Sequence, residues 1–263
     1  MLDTSTPNLA RACDHLLGGG ASFAADRTLA ARLDALYPGM RQVLFSSRTY
    51  VADSVARIAR AGVDQYLDLG SGLPTRPAVH EIARAFSPAA RVACVDRDPV
   101  VVQHGRALVP AGVRYFAGDL AEPEAVLAGG DLAGFINFSR PVCLILALVL
   151  QVLDPGTARA VAGVLVRALP PGSYLIATAV PKETGLRETG PGETAAKGAG
   201  LPDFTWPGPF TAADLESFFA GLELVPPGIE DGAGRGAGRV LCGTARKPPA
   251  PAPRQGTRPV TRG

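Results

Sequence analysis

The stretch Leu67-Asp68-Leu69-Gly70-Ser71-Gly72-Leu73-Pro74, LDLGSGLP, decides how this chain is read. With the preceding Val63-Asp64-Gln65-Tyr66, it forms an apolar-led strand that ends in a glycine turn. An acidic residue, Asp68, stands two positions before the first glycine. A turn without side chains lets a nucleotide-like ligand lie against bare backbone. A dinucleotide site asks for a third glycine, in the spacing G-x-G-x-x-G. Thr75 occupies that position here, and Pro74 disturbs the helix start. The residues thus speak against a nicotinamide-dependent oxidoreductase.

Downstream of the turn, strand and helix patterns alternate. A crossover helix is predicted over about 76–86, then a strand over 91–96, RVACVD. Asp98-Pro99 caps and opens a helix over about 99–109. Further strands are expected at 113–118, 141–147, 172–180 and 239–246, with helices from Asp154-Pro155 to about Leu169 and over about 211–220. This alternation specifies an α/β fold with a mostly parallel sheet covered by helices on both faces. Residues 181–209, rich in Gly and Pro, read as a long loop or insertion. The tail 247–263 has almost no large apolar residues and reads as disordered.

Upstream, residues 1–62 read as a helical lid or cap on the 63–246 core. In NLARACDHLL, Leu9, Ala12, Cys13, Leu16 and Leu17 share a stripe, and Asn8 is a suitable N-cap. Arg11, Asp14 and His15 fall on the opposite face, and Gly18-Gly19-Gly20 stops the helix. Further helices are expected over about 24–36 and from Pro38 to Gly62.

Bulk composition excludes several classes. The 263 residues carry 26 basic and 24 acidic side chains, a balance that gives no electrostatic case for nucleic acid or an anionic membrane. The longest apolar run, VCLILALVL at 142–150, is too short to span a bilayer. Cys13, Cys94, Cys143 and Cys242 form no C-x-x-C pair, so no metal site is expected. The N-terminus lacks the regions of a signal peptide, which leads to the expectation of a cytoplasmic protein.

The successive strand ends carry the functional signal. Asp96 ends the second strand, where a carboxylate can accept both hydroxyls of a ribose. Asp119 ends the third, where an acceptor can take an adenine amino group, with Leu120 offering backbone. Ligands of open α/β sheets bind at such ends. Without a pyrophosphate to hold, the turn suits S-adenosylmethionine.

Together these segments resemble a family of S-adenosylmethionine-dependent methyltransferase-like proteins common in actinobacteria, with a Rossmann-like core. The resemblance runs from about Thr6 to about Lys247. It rests on TPNLARACDHLLGG, FAADR, QYLDLGSGLPT, VDRDPVVVQHGRAL, GDLAEP, NFSRPVCLILALVLQVL, PGSYLI and FFAGLELVPPG. It implies a class I methyltransferase sheet with an antiparallel final strand. It also implies cofactor roles for Asp68, Gly70, Ser71, Gly72, Asp96, Arg97, Asp119 and Leu120, and a lid built from Arg11, Asp14, Gly18, Gly19 and Phe23. Phe23 and Gln151 become candidates for acceptor contact, and His15 and Asp14 for proton transfer. The family pattern differs at three places: a Lys-Asp-Asn type triplet where this chain has Gly20-Ala21-Ser22, a histidine for Gln151, and a tyrosine for His15. The expected activity is methyl transfer to a small molecule. The alternative is a protein that binds the cofactor without transferring its methyl group.

Overall fold

The computed structural model describes residues 4–36, 39–181, 210–233 and 239–249. Of the expected loop only Pro181 is among them, and 182–209 and 250–263 lie outside. The N-terminal helices are α1 (Leu9–Leu16), α2 (Ala24–Leu36) and α3 (Met40–Arg60). The core then runs β1 (Gln65–Leu69), α4 (Val79–Phe86), β2 (Arg91–Asp96), α5 (Pro99–Leu108) and β3 (Val113–Ala117). Two short helices, α6 (Pro123–Ala128) and α7 (Gly130–Ala133), precede β4 (Cys143–Ala147). After a 3-10 turn, Leu150–Val152, come α8 (Pro155–Ala168) and β5 (Tyr174–Ala179). A helix at Ala212–Ser217 and the strands β6 (Glu223–Leu224), β7 (Glu230–Ala233) and β8 (Arg239–Arg246) complete the chain.

The described strands form one eight-stranded sheet, in the order β3-β2-β1-β4-β5-β8-β6, with β7 also paired to β8. The strands from β3 to β5 are parallel, and β8 runs antiparallel to β5. Chain order reverses between β1 and its neighbours β2 and β4. In open α/β sheets that reversal opens a crevice beyond the strands' carboxyl ends. β1 is buried along its whole length, as a parallel strand covered on both faces must be.

Local chemistry sets the element ends. Asp98 caps α5, accepting from the Val100 amide at 2.8 Å, with Pro99 as the first helical residue. Asp154 and Pro155 open α8 in the same way. α3 packs on the sheet: Val51, Val55 and Ile58 share a core with Tyr66, Cys143, Ile145 and Ile176. Its rotation is set by polar pairs. Ser47 bonds Thr178 at 2.8 Å, Tyr50 bonds Thr244 at 3.0 Å, and Ser54 bonds Thr244 at 3.1 Å. α1, α2 and the start of α3 form a separate small core around Ala12, Leu16, Leu33 and Leu44.

The face of α1 opposite its apolar stripe is also packed against protein, and one sequence expectation needs correction. Arg11 and Asp14 are buried, because α2 covers the first and the loop after α1 wraps the second. Lys247, assigned to the disordered tail, instead continues the pairing of β8 with β5. Its amide donates to the Ser173 carbonyl, and its ammonium caps the end of α8 at the carbonyls of Val166 and Leu169.

Candidate functional site

A cavity of about 720 Å³ opens at the carboxyl ends of β1, β2, β3 and β4. Its floor is the glycine turn. Gly70 and Gly72 both adopt left-handed backbone, at φ 65° and 60°. A Cβ on Gly70 would lie 2.1 Å from the Val149 side chain, so close packing of turn and β4 exit requires glycine there. Gly72 is held from both sides. Its amide donates to Asp96 Oδ2 at 3.0 Å, and its carbonyl accepts from the Tyr115 hydroxyl at 3.0 Å.

The acidic residues at the strand ends all line the cavity. Asp96 spends one oxygen on Gly72 and the other on the Asp98 amide at 3.0 Å. A carboxylate has roughly four acceptor positions, so two remain for a diol. Burial raises its pKa, against the opposing pull of those two backbone donors. Asp119 accepts from the Ala121 amide, and Arg97 lies 3.9 Å from its other oxygen. Both are substantially exposed, while Leu120 is buried. Asp68 differs from these. It is 7% exposed and takes no hydrogen bond from any described residue. Burial pushes its pKa up to about 7, with Arg48 pulling it down and Asp96 pushing it further up.

The lid is α1. Its N-cap Asn8 accepts from the Arg11 amide at 3.0 Å, receives its own fixing through a bond from its amide nitrogen to Asp26 at 2.8 Å, and donates its side-chain amide to Asp98. Arg11 forms a fully buried ion pair with Asp26 at 2.8 Å and stacks over the Phe23 ring at 5.1 Å. Arg11 lines the cavity, but its guanidinium is spent on joining α1 to α2. Phe23 does not line the cavity and packs beneath Arg11. Asp14 does line it, and its carboxylate accepts from the Ala21 amide at 3.0 Å. A Cβ on Gly19 would fall 2.1 Å from that carboxylate. Gly18 and Gly19 thus shape the loop that holds Asp14 and do not themselves line the cavity.

Two candidates lie elsewhere: His15, expected for proton transfer, and Gln151, expected for acceptor contact. His15 is half-buried outside the cavity, with Nδ1 3.4 Å from the Ser22 hydroxyl. Gln151 is buried behind the β4 exit, where its carbonyl accepts from the Val180 amide at 3.1 Å. Sequence reading missed Arg48 and Thr75, which line the cavity, and Leu148, which shows positive φ at the β4 exit. One signal was available for Arg48. It lies on the stripe Leu44, Val51, Val55, where an arginine has no packing reason to be.

The residues fit the cofactor expected from sequence. A left-handed glycine turn, an unbonded buried carboxylate, a half-free carboxylate and a third acceptor follow each other along one wall. The volume lies in the range of ligand pockets. Sheet order and cavity together define a class I, Rossmann-like methyltransferase. The sequence profile described as S-adenosyl methyltransferase matches residues 1–234, and the chain belongs to that family. S-adenosylmethionine is accordingly its cofactor. No curated protein sequence matches the chain. A structure from Thermobifida fusca YX, described as a candidate methyltransferase, is 34% identical over 94% of this chain and 97% of its own, with a TM-score of 0.79. A DUF574 family protein from Streptomyces avermitilis MA-4680 is 31% identical over 94% and 99%, also with a TM-score of 0.79. Magnesium protoporphyrin IX methyltransferase from Synechocystis PCC 6803, solved with S-adenosylhomocysteine, shares the fold at 18% identity, 84% and 94% coverage, and a TM-score of 0.51.

Proposed function

We propose that the protein transfers a methyl group from S-adenosylmethionine to a small-molecule acceptor inside this cavity. The observation that carries the reading is the succession Asp68, Asp96, Asp119 along one wall beneath α1. Asp96 would hold the ribose with its two remaining acceptor positions, and Asp119 with Leu120 would hold the adenine. Gly70, Ser71 and Gly72 would carry the amino-acid part on bare backbone.

The cofactor supplies a methyl group on a positively charged sulfur, an already activated leaving group. The protein's part is alignment of the acceptor in line with the methyl–sulfur bond. The acceptor's lone pair forms the new bond to carbon, and sulfur keeps the electron pair of the old one. Where the acceptor must also lose a proton, Asp14 is the group placed to take it, since it lines the cavity and is held by Ala21. Among the described residues, the cavity lining contains no histidine and no tyrosine. That favours acceptors nucleophilic without a strong base. It also keeps a second reading in view, a protein that binds the cofactor without transfer. A panel of amine, thiol, phenol and carboxylate acceptors, with S-adenosylhomocysteine release as readout, tests the reading. Turnover with any acceptor supports it. Cofactor binding with no turnover across the panel favours the second reading.

A further inference from the structure

The lining of the cavity divides in two. The ends of β1, β2 and β3 contribute carboxylates and bare glycine backbone. The part between α1, α3 and the β4 exit is apolar, and consists of Leu17, Leu44, Leu148, Val152 and Leu153. Leu17 and Leu148 pack against the same small core that holds Leu44, so this wall runs unbroken from the lid to the sheet. Val152 lines the cavity yet is 38% exposed, which places it at the mouth.

The wall is held in place by specific bonds. Among the described residues, Leu148 is the one non-glycine with positive φ, at 54°. Such backbone is costly for a leucine and persists only where its surroundings fix it. Its amide donates to the carbonyl and to the hydroxyl oxygen of Thr178, each at 3.1 Å, and that hydroxyl is bonded to Ser47 of α3. One polar chain thus ties the β4 exit to α3 across the wall. Beside it stands a negative charge. Asp14 lines the cavity one helical turn before Leu17, on the same face of α1. It is buried, and its carboxylate takes one hydrogen bond among the described residues, from the Ala21 amide. A carboxylate has roughly four acceptor positions, so most of its capacity is open. Arg48, one turn beyond Leu44, acts by its charge on Asp68 and Cys13.

We propose that this wall is the acceptor subsite and that the acceptor is an apolar amine, with its hydrocarbon body on Leu17, Leu44, Leu148 and Val152 and its nitrogen beside Asp14. The inference deepens the methyl-transfer reading and rests on it. Leucine and valine side chains gain from covering hydrocarbon and offer nothing to hold a sugar or an acid. An amine attacks as its free base and needs no strong base from the protein. Its lone pair forms the bond to the methyl carbon, sulfur keeps the electrons of the broken bond, and the nitrogen keeps its own protons. The positive charge thereby passes from sulfur to nitrogen, and Asp14 is the carboxylate that pairs with it.

Calorimetry on the protein saturated with S-adenosylhomocysteine tests this with three probes: 4-phenylbutylamine, butylamine, which lacks the ring, and 4-phenylbutyrate, which carries a carboxylate in place of the amine. 4-Phenylbutylamine is expected to bind about tenfold or more tighter than either of the others. Asp14→Asn should bring its lead over 4-phenylbutyrate below about threefold. Val152→Asn should reduce its lead over butylamine severalfold and leave S-adenosylhomocysteine affinity within about twofold. The second variant keeps the test decisive if Asp14→Asn fails to fold. Equal binding of the probes, a preference for 4-phenylbutyrate, or undiminished leads in the variants would overturn the inference. So would methyl transfer to a phenol or carboxylate with none to 4-phenylbutylamine, which leaves the transfer reading intact. Binding in the expected order with no methyl transfer to any acceptor would overturn the transfer reading but not the amine site. Failure of the wild type to bind S-adenosylhomocysteine would overturn both.

Discussion

The side-chain amide of Asn8 donates to Oδ2 of Asp98, 90 positions further along the chain. One residue is the N-cap of the lid helix and the other the N-cap of the helix after β2. α1 is thereby fastened two residues from Asp96, the carboxylate proposed to hold the ribose.

Asn8→Ala removes both a helix cap and this latch. We expect a loss of about 1–3 kcal/mol in stability. Because α1 forms a cavity wall, S-adenosylhomocysteine affinity should also fall severalfold. Denaturant unfolding and calorimetry on one sample measure both. A stability loss with unchanged affinity would mean the lid does not shape the site.

Burial pushes the pKa of Asp68 up to about 7, so binding of a cationic group beside it should depend on pH. An ammonium partner requires the carboxylate, so binding releases a proton where Asp68 is protonated. Affinity should be highest above about pH 7 and fall toward tenfold per pH unit below it. Asp68→Asn should flatten that slope. The sign for stability is opposite to the usual acidic case. The folded pKa lies above the ordinary value of 3.8, so the unliganded protein loses stability as pH rises from about 4 to about 7. Asp68→Asn should therefore raise the melting temperature of the unliganded protein at pH 8 and leave it nearly unchanged at pH 4.

Gly70→Ala combines a left-handed backbone with a Cβ placed against Val149. It should cost roughly 1–3 kcal/mol in stability. Pairing it with Val149→Ala should recover part of the loss, because the contact is side chain to Cβ. No recovery in the double variant would assign the cost to backbone strain alone.

Asp14 and His15 are adjacent in sequence but differ in place. For an acceptor that must lose a proton, Asp14→Asn should lower kcat about 100-fold or more, the scale of general-base catalysis. His15→Ala should change it less than about twofold, since the ring lies outside the cavity. The reverse ranking in steady-state rates would return His15 to the mechanism.

The acidic wall of the cavity was legible because its signals are local. Asp68, Asp96 and Asp119 sit at strand ends that apolar runs and turn residues mark out, and Gly70 and Gly72 mark the turn between them. What covers a helix face is a different matter. The spacing of α1 correctly separated Arg11 and Asp14 from Leu16, yet nothing in it says that Asp26 arrives 15 residues later to bury Arg11. His15 and Gln151 were proposed from motif position, and tertiary packing turned both away from the cavity. Arg48 belongs to no motif, and the fold alone brings it beside Asp68 and Thr75.

The account stands most directly on Asp96. Titrating wild type and Asp96→Ala with S-adenosylhomocysteine should show one-to-one binding, weakened in the variant by about 1.5–3 kcal/mol, or roughly 10- to 150-fold. Equal affinity in a folded Asp96→Ala protein, or no binding to the wild type, would contradict it.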